Sequence, residues 1–118
     1  MKILIVEDDA ATREAIARFV ASNGHEVGTA SDPDSANSRA EDLEPDVVIC
    51  DWQLSDEIAP DGVDVASEMY ERYRSSVILI TGHNLSELKN RAKNLNVAQF
   101  IRKPFSLVCI DAALAALQ

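Results

Sequence analysis

The sequence lacks the residues that mark disulfide-rich, secreted or membrane proteins. Its 118 residues include only two cysteines, Cys50 and Cys109, and neither belongs to a CxxC pair or lies near a histidine. We therefore expect both to be buried small apolar side chains, not a disulfide or a zinc site. No apolar run reaches the roughly 18 residues of a membrane span, and the N-terminus turns acidic too early for a signal peptide. These absences predict a cytoplasmic protein with no membrane contact. The length of 118 residues predicts one domain, residues 1–118.

Basic residues are scarce and unevenly placed. The chain carries 11 Lys and Arg against 20 Asp and Glu, a formal net charge of −9, which argues against direct nucleic-acid binding by this domain. Residues 1–71 hold 18 acidic and 4 basic residues, and residues 72–118 hold 2 acidic and 7 basic residues. The asymmetry fits either an unevenly charged solvated surface or an acidic site with a basic, partner-facing surface elsewhere.

Five short apolar runs alternate with segments of helical periodicity. The runs are Ile3–Val6, Glu26–Ala30, Val47–Cys50, Val77–Ile80 and Val97–Ile101. The first, third and fourth are continuous and mostly β-branched, which is typical of parallel strands buried on both faces. Apolar residues of the later helices recur at spacings of three and four, as in Val63, Ala66, Tyr70 and Tyr73, in Leu85, Leu88, Ala92 and Leu95, and in Leu107, Ile110, Leu114 and Leu117. The pattern predicts a doubly wound α/β sandwich with right-handed crossovers.

Helix ends can be predicted at three places. Asp32-Pro33 favours a helix start, because proline is well tolerated in the first turn. Gly24 and Asn96 suit the left-handed position that often closes a helix.

Polar side chains follow four of the predicted strands where each strand ends. Glu7-Asp8-Asp9 follow the first strand, Asp51 the third, Thr81 the fourth and Lys103 the fifth. Ligands and chemistry gather at the carboxyl ends of parallel strands, so we expect these side chains to meet. Converging carboxylates repel and raise one another's pKa. A hard cation such as Mg²⁺ resolves that repulsion and also neutralises phosphoryl oxygens during transfer.

This group of side chains suits phosphoryl transfer. Asp51 would act as the nucleophile and form an acyl phosphate. Lys103 would pair with Asp51 or with a phosphoryl oxygen, and the Thr81 hydroxyl would donate a hydrogen bond to another oxygen. Each residue also has an ordinary interpretation: Asp8 or Asp9 as a helix cap, Asp51 as a turn residue, Lys103 as a surface charge. Their joint occurrence at strand ends favours the functional interpretation.

Four segments together resemble the motifs of bacterial two-component response-regulator receiver domains. They are Ile3–Asp9, Val47–Asp51, Ile80–Gly82 and Phe100–Phe105, and the resemblance covers essentially the whole chain. Each motif is weak alone, but their order and spacing are specific. The resemblance implies a flavodoxin-like (βα)5 fold with strand order 2-1-3-4-5. It also implies a signalling module, not an enzyme with an independent substrate: the domain takes a phosphoryl group from a histidine kinase or His-phosphotransfer protein and catalyses its own dephosphorylation.

The resemblance also implies a metal site. Glu7 and Asp8 correspond to the family's acidic pair, with Asp8 the more direct ligand. Asp51, the implied phosphoacceptor, and the backbone carbonyl of Gln53 complete the shell around Mg²⁺, for which Mn²⁺ would substitute.

Switching roles follow from the same resemblance. Thr81 and Phe100 correspond to the switch pair, and Lys103 to the invariant-type lysine. The threonine moves toward the phosphoryl group, the aromatic ring rotates inward, and the surface of helix four, strand five and helix five shifts. Positions that tune the phosphoryl lifetime in the family are occupied here by Trp52, Gln53 and His83.

The loop after Asp51 departs from the family pattern. Residues 52–61 are about three residues longer than the family norm, and Ser55 stands where a proline is usual. The loop also carries Asp56, Glu57 and Asp61. It is either a tolerated surface insertion or a segment that alters metal affinity or kinase choice.

The last predicted helix is unusually apolar. Its core positions would leave a second set of apolar residues facing outward: Val108, Cys109, Ala112 and Ala115. An apolar outer face often marks an interface, and basic residues lie nearby in the sequence at Lys89, Arg91, Lys93 and Arg102. We therefore predict a surface on helices four and five for a downstream protein or for self-association.

Three other classes fit less well. A haloacid-dehalogenase-type phosphatase would place an acid two residues after its nucleophile, where this chain has Gln53, and the chain is short for that fold. A pseudo-receiver would not need the complete set of acids, threonine and lysine. Neither GxGxxG nor a GxxxxGK[ST] loop is present for nucleotide binding. The chain ends where the fifth helix should end, which fits a stand-alone regulator or a domain of a larger protein; kinase, stimulus, target, oligomeric state and phosphoryl lifetime are left open.

Overall fold

The computed structural model describes residues 1–54 and 60–118, and in it five strands alternate with five helices. They are β1 (Lys2–Val6), α1 (Ala10–Ser22), β2 (Glu26–Ala30), α2 (Pro33–Leu43), β3 (Val47–Asp51), α3 (Gly62–Tyr73), β4 (Ser76–Thr81), α4 (Leu85–Arg91), β5 (Val97–Arg102) and α5 (Leu107–Ala115). Every strand pair is parallel and the order is β2-β1-β3-β4-β5, which confirms the predicted fold. None of the described helices is long and apolar enough to cross a membrane.

The sheet is buried on both faces because side chains alternate along each strand. In β1, Leu4 and Val6 point into a cluster with apolar residues of α2, α3 and α4. Ile3 and Ile5 point into a second cluster with apolar residues of α1 and α5. The continuous apolar runs of the sequence are therefore the central strands, and helices cover both of their faces.

Two of the three predicted helix ends are confirmed. Asp32 caps α2, whose first residue is Pro33, and Gly24 has a left-handed φ of 89° after α1. The prediction for Asn96 is wrong, because α4 ends at Arg91 with a cap residue in an ordinary conformation. Asn96 instead lies after the turn that follows α4 and directly precedes β5. Among the described residues other than glycine, the left-handed positions are those that close α2 and α3, Glu44 and Arg74.

The two cysteines lie in different environments. Cys50 is buried in β3, as expected, but Cys109 is exposed. The expectation that Cys109 is buried is wrong, and its predicted place on the outward face of the last helix is confirmed, because helical geometry turns its side chain away from the core that its neighbour Ile110 enters.

Candidate functional site

The strand ends bring the predicted side chains to one edge of the sheet. Among the described residues, four polar side chains are buried, and three of them lie here: Glu7 (3% exposed), Asp51 (7%) and Thr81 (1%). The fourth, Ser75, donates a hydrogen bond to a backbone carbonyl elsewhere. Burying two carboxylates costs stability unless they are paired or bind a cation, so this concentration of charge indicates a site.

Lys103 supplies the counter-charge. Its Nζ lies 2.7 Å from Oε1 of Glu7 and 3.4 Å from Oδ2 of Asp51. The backbone fixes the lysine's place, because the Lys103 N–H donates to the carbonyl of Thr81 on β4 at 2.7 Å. One lysine thus bridges the ends of β1 and β3 from the end of β5.

Three carboxylates converge closely enough to share a cation. Carboxyl oxygens of Glu7, Asp8 and Asp51 all lie within 4.8 Å of one another. The second oxygen of Glu7, Oε2, is buried and has no hydrogen-bond partner in the described part of the chain. A divalent cation would satisfy that oxygen and offset the net negative charge, and carboxylates are the ligands that Mg²⁺ prefers. Gln53, whose carbonyl was the fourth predicted ligand, is exposed two residues after Asp51.

The two buried carboxyls have raised pKa values in the metal-free site. Burial, together with the neighbouring Asp51 carboxyl, raises the pKa of Glu7 to about 7, against the opposing pull of Lys103. Burial also raises the pKa of Asp51, opposed by the neighbouring Glu7 carboxyl and by the charge of Lys103. Without a cation, the pair therefore tends to retain a proton near neutral pH.

The two acids after Glu7 do different things. Asp9 caps α1, where its Oδ2 accepts hydrogen bonds from the Thr12 backbone N–H at 2.9 Å and from the Thr12 hydroxyl at 2.6 Å. Those bonds lower the pKa of Asp9. Asp8 is exposed and joins the acidic group. Thus the helix-cap interpretation holds for Asp9, while Asp8 remains available to a metal.

Arg13 is a site residue that the sequence reasoning missed. Its Nη1 donates to the backbone carbonyl of Glu7 at 2.8 Å and reaches that of Asp8 at 3.4 Å. The guanidinium therefore fixes the backbone from which both acids project. The available signal was an arginine one turn into the helix that follows the acidic loop.

The predicted switch pair lies on the α4 side of the sheet. Thr81 is two residues beyond Leu79, which pairs with Phe100 in the β4–β5 register, so both switch residues lie on one face. The Thr81 hydroxyl oxygen accepts a hydrogen bond from the His83 backbone N–H at 2.9 Å. The ring of Phe100 is half-buried, and Nζ of Lys89 lies 5.7 Å from its centroid.

The three predicted lifetime positions lie within two residues of Asp51 or Thr81. Trp52 is half-buried, and its indole N–H donates to Oδ2 of Asp61 at 3.0 Å. Gln53 and His83 are exposed. Their effect on phosphoryl lifetime stays a prediction.

The structure describes the two ends of the long loop. Ser55, Asp56 and Glu57 lie outside the described residues, and the predicted effect of the loop falls largely on them. Asp61, counted in the sequence as a loop acid, instead caps α3 and accepts a hydrogen bond from the Asp64 backbone N–H at 3.0 Å.

An apolar groove opens beside the site. It has a volume of about 690 Å³ and lies between α1 and the segment that joins β5 to α5. Its lining includes Ala11, Ala15, Phe105 and Leu107, with Lys103 at the end nearest the carboxylates. A protein that approaches Asp51 would therefore find an apolar surface next to the reacting group.

Comparisons with known proteins agree with this geometry. The family model for the response regulator receiver domain matches residues 3–115. The transcriptional regulatory protein PdtaR of Mycobacterium tuberculosis is 33% identical over 107 residues, which cover 90% of this chain and 51% of PdtaR. The phosphate regulon transcriptional regulatory protein PhoB of Escherichia coli is 29% identical, over 89% of this chain and 46% of PhoB.

Solved structures give the same result. The signal receiver domain of a modulated diguanylate cyclase from Desulfovibrio desulfuricans superposes with a TM-score of 0.85 at 28% identity, covering 97% of this chain and 90% of that one. The receiver domain of NtrX from Brucella abortus gives 0.80 at 30% identity, covering 96% and 98%.

The chain belongs to the response-regulator receiver family, the phosphoacceptor signalling modules of two-component systems. It spans about half the length of the curated relatives it matches.

Proposed function

We propose that this domain accepts a phosphoryl group on Asp51 from a histidine kinase or His-phosphotransfer protein and signals through a change in its α4–β5–α5 surface. The observation that carries the proposal is the pairing of a buried Asp51 carboxyl with Lys103, beside an acidic cluster in which one buried oxygen has no hydrogen-bond partner among the described residues. The domain, residues 1–118, acts as a cytoplasmic signalling module whose only chemistry is its own phosphorylation and dephosphorylation.

The transfer step is a substitution at phosphorus. A carboxylate oxygen of Asp51 forms a bond to phosphorus while the phosphorus–nitrogen bond of the donor phosphohistidine breaks, and the electron pair stays with the imidazole. Lys103, 3.4 Å from Asp51, offsets the negative charge of the phosphoryl oxygens. The Thr81 hydroxyl oxygen accepts a hydrogen bond from the His83 backbone N–H, and its own hydrogen would be donated to one of the phosphoryl oxygens.

Asp8, Asp51, Glu7 and the Gln53 backbone carbonyl are the residues that would hold Mg²⁺, or Mn²⁺ in its place. When bound, the ion supplies positive charge that neutralises phosphoryl oxygens. The fit rests on two observations: three carboxylates lie within reach of one ion, and the buried Oε2 of Glu7 has no other described partner.

The test is phosphorylation by acetyl phosphate, a small donor that needs no kinase, read by intact mass. We expect one phosphoryl adduct in the presence of Mg²⁺ or Mn²⁺ and none after chelation, because the carboxylates otherwise repel the donor. A chelated sample modified as fast as the Mg²⁺ sample would refute the metal assignment. No adduct under any condition, with Mg²⁺ binding intact, would favour a pseudo-receiver.

The outer face of α5 is the surface that we propose for partner binding. Val108 is 71% exposed, and Cys109, Ala112 and Ala115 are exposed beside it. The basic residues Lys89, Lys93 and Arg102 are exposed on α4, the turn after it and β5. The occupant to test first is a second copy of this chain, since an exposed apolar helix face is the feature most readily shared between two copies.

Val108→Asp is expected to abolish self-association of the phosphorylated domain in sedimentation velocity, because it buries an unpaired charge in the interface. Ala21→Asp, on the exposed side of α1, is the matched control and should leave self-association unchanged. Strictly monomeric wild-type protein in both states would contradict self-association and leave a downstream protein as the occupant.

A further inference from the structure

An ion-pair cluster joins the end of α4 to the start of α3. Arg91, the last residue of α4, places Nη2 2.7 Å from Oδ1 of Asp64 and 3.2 Å from Oδ1 of Asp61. Its Nε donates to Oδ2 of Asp61 at 3.2 Å. We call Asp61, Asp64 and Arg91 the α3–α4 clamp. The guanidinium engages both oxygens of Asp61, the fork geometry that makes arginine pairs directional.

The clamp extends to the residue next to the phosphoacceptor. Asp61 also accepts the indole N–H of Trp52 at 3.0 Å, and the Gly62 N–H donates to the Trp52 carbonyl at 2.7 Å. The Asp61 side chain is only 14% exposed, so these bonds are partly shielded from water. A continuous chain of contacts thus runs from Trp52, beside Asp51, through Asp61 to Arg91.

Helix α4 has few other anchors. It has seven residues, all of them described, and Leu88 is the only one that is buried. Elements with little buried apolar surface are those that move at low free-energy cost. Polar contacts therefore help to hold α4 in place, and among the described residues the clamp is its ion-paired contact with another helix. Lys89 adds a cation–π contact with Phe100.

We propose that the α3–α4 clamp is a lock. It holds α4 in its resting position and fixes the orientation of the Trp52 indole ring next to Asp51. The inference rests on the function proposed above, since it concerns how phosphorylation at Asp51 moves α4. A contact that exists in one of two states and is lost in the other lowers the affinity of any ligand that selects the second state. The lock is broken in the phosphorylated arrangement, so a variant that lacks the clamp favours that arrangement.

Binding of beryllium fluoride with Mg²⁺, a phosphoryl mimic, to Arg91→Gln tests the lock. Trp52 is the only tryptophan of the chain and lies beside Asp51, so its fluorescence follows the titration. We expect Arg91→Gln to bind about two- to fivefold more tightly than wild type, the range that partly exposed ion pairs support. Equal or weaker binding would overturn the proposal.

Arg39→Gln is the matched control. Arg39 is exposed on α2, its substitution removes the same charge, and it makes no ion pair within residues 1–54 and 60–118. Its affinity for beryllium fluoride should equal that of wild type. If both variants gain affinity equally, the effect is one of net charge, and the clamp is not a lock.

Hydrogen exchange in the unphosphorylated protein separates this inference from the proposed function. Arg91→Gln should speed exchange of the α4 amides severalfold, and Arg39→Gln should not. Unchanged α4 exchange would overturn the lock whatever happens at Asp51. If wild type takes up neither acetyl phosphate nor beryllium fluoride, the proposed function fails, while faster exchange still shows that the clamp restrains α4.

Discussion

Lys103→Ala is expected to slow phosphoryl adduct formation at Asp51 by about a hundredfold or more, the usual loss when one preorganised charge-stabilising group is removed. Among the described residues, Lys103 is the cation in ion-pair contact with Glu7 and Asp51. Without it, the attacking carboxylate is more readily protonated, and the incoming phosphoryl oxygens meet uncompensated negative charge. The rate of adduct formation with acetyl phosphate and saturating Mg²⁺ measures the effect.

Two further variants show whether the effect belongs to the position or to charge alone. Arg102→Ala removes an exposed positive charge from the preceding residue and should leave the rate close to that of wild type. Lys103→Arg keeps the charge but replaces the compact ammonium with a planar fork, so it should restore only part of the rate. A Lys103→Ala rate within threefold of wild type would show that the lysine does not act on the reacting carboxylate.

Glu7→Gln is expected to stabilise the metal-free protein at pH 8 much more than at pH 5. The pKa of Glu7 is about 7 in the folded protein, compared with an ordinary value of 4.5. Between pH 4.5 and 7 the folded state therefore holds a proton that the unfolded state has released. The free energy of unfolding falls as pH rises through this range. Glutamine imitates the protonated carboxyl, so Glu7→Gln escapes this loss, which amounts to about 2 kcal/mol between pH 5 and 8.

Denaturant unfolding with a chelator present, at pH 5 and pH 8, measures this difference. Glu14→Gln, on the exposed surface of α1, is the control and should show no comparable change between the two pH values. Mg²⁺ should reverse the ranking at pH 8, because it stabilises wild type by binding the charged carboxylates. A Glu7→Gln effect that is the same at both pH values would contradict the raised pKa.

The fold and the centre of the site could be predicted because they depend on local, repeated patterns. The β-branched runs Val47–Cys50 and Val77–Ile80 fill strands covered on both faces, which specifies a parallel sheet with helices on each side. Once the strands are parallel, the residue after each one must lie at the same edge. Asp51, Thr81 and Lys103 therefore meet wherever the intervening helices lie.

The missed features depend on side-chain contacts between distant parts of the chain. Arg91 pairs with Asp61, which lies 30 positions earlier, and no periodicity links them. Asp61 and Asp64 do form a capping box, whose spacing could have been read from the sequence. Arg13 reaches backbone carbonyls, which a sequence pattern does not reveal. The helix-end prediction for Asn96 is wrong because an asparagine in a turn does not by itself show which residue ends the helix before it.

The most direct test of the account is to locate the phosphoryl group. Wild type and Asp51→Asn are incubated with acetyl phosphate and Mg²⁺, and each is measured by intact mass and by fragment mapping. We expect a single adduct on Asp51 in wild type and none in Asp51→Asn, because the asparagine amide has nearly the same shape as the carboxyl but is a poor nucleophile. An adduct of equal yield in Asp51→Asn, or one that maps to another residue in wild type, would contradict it.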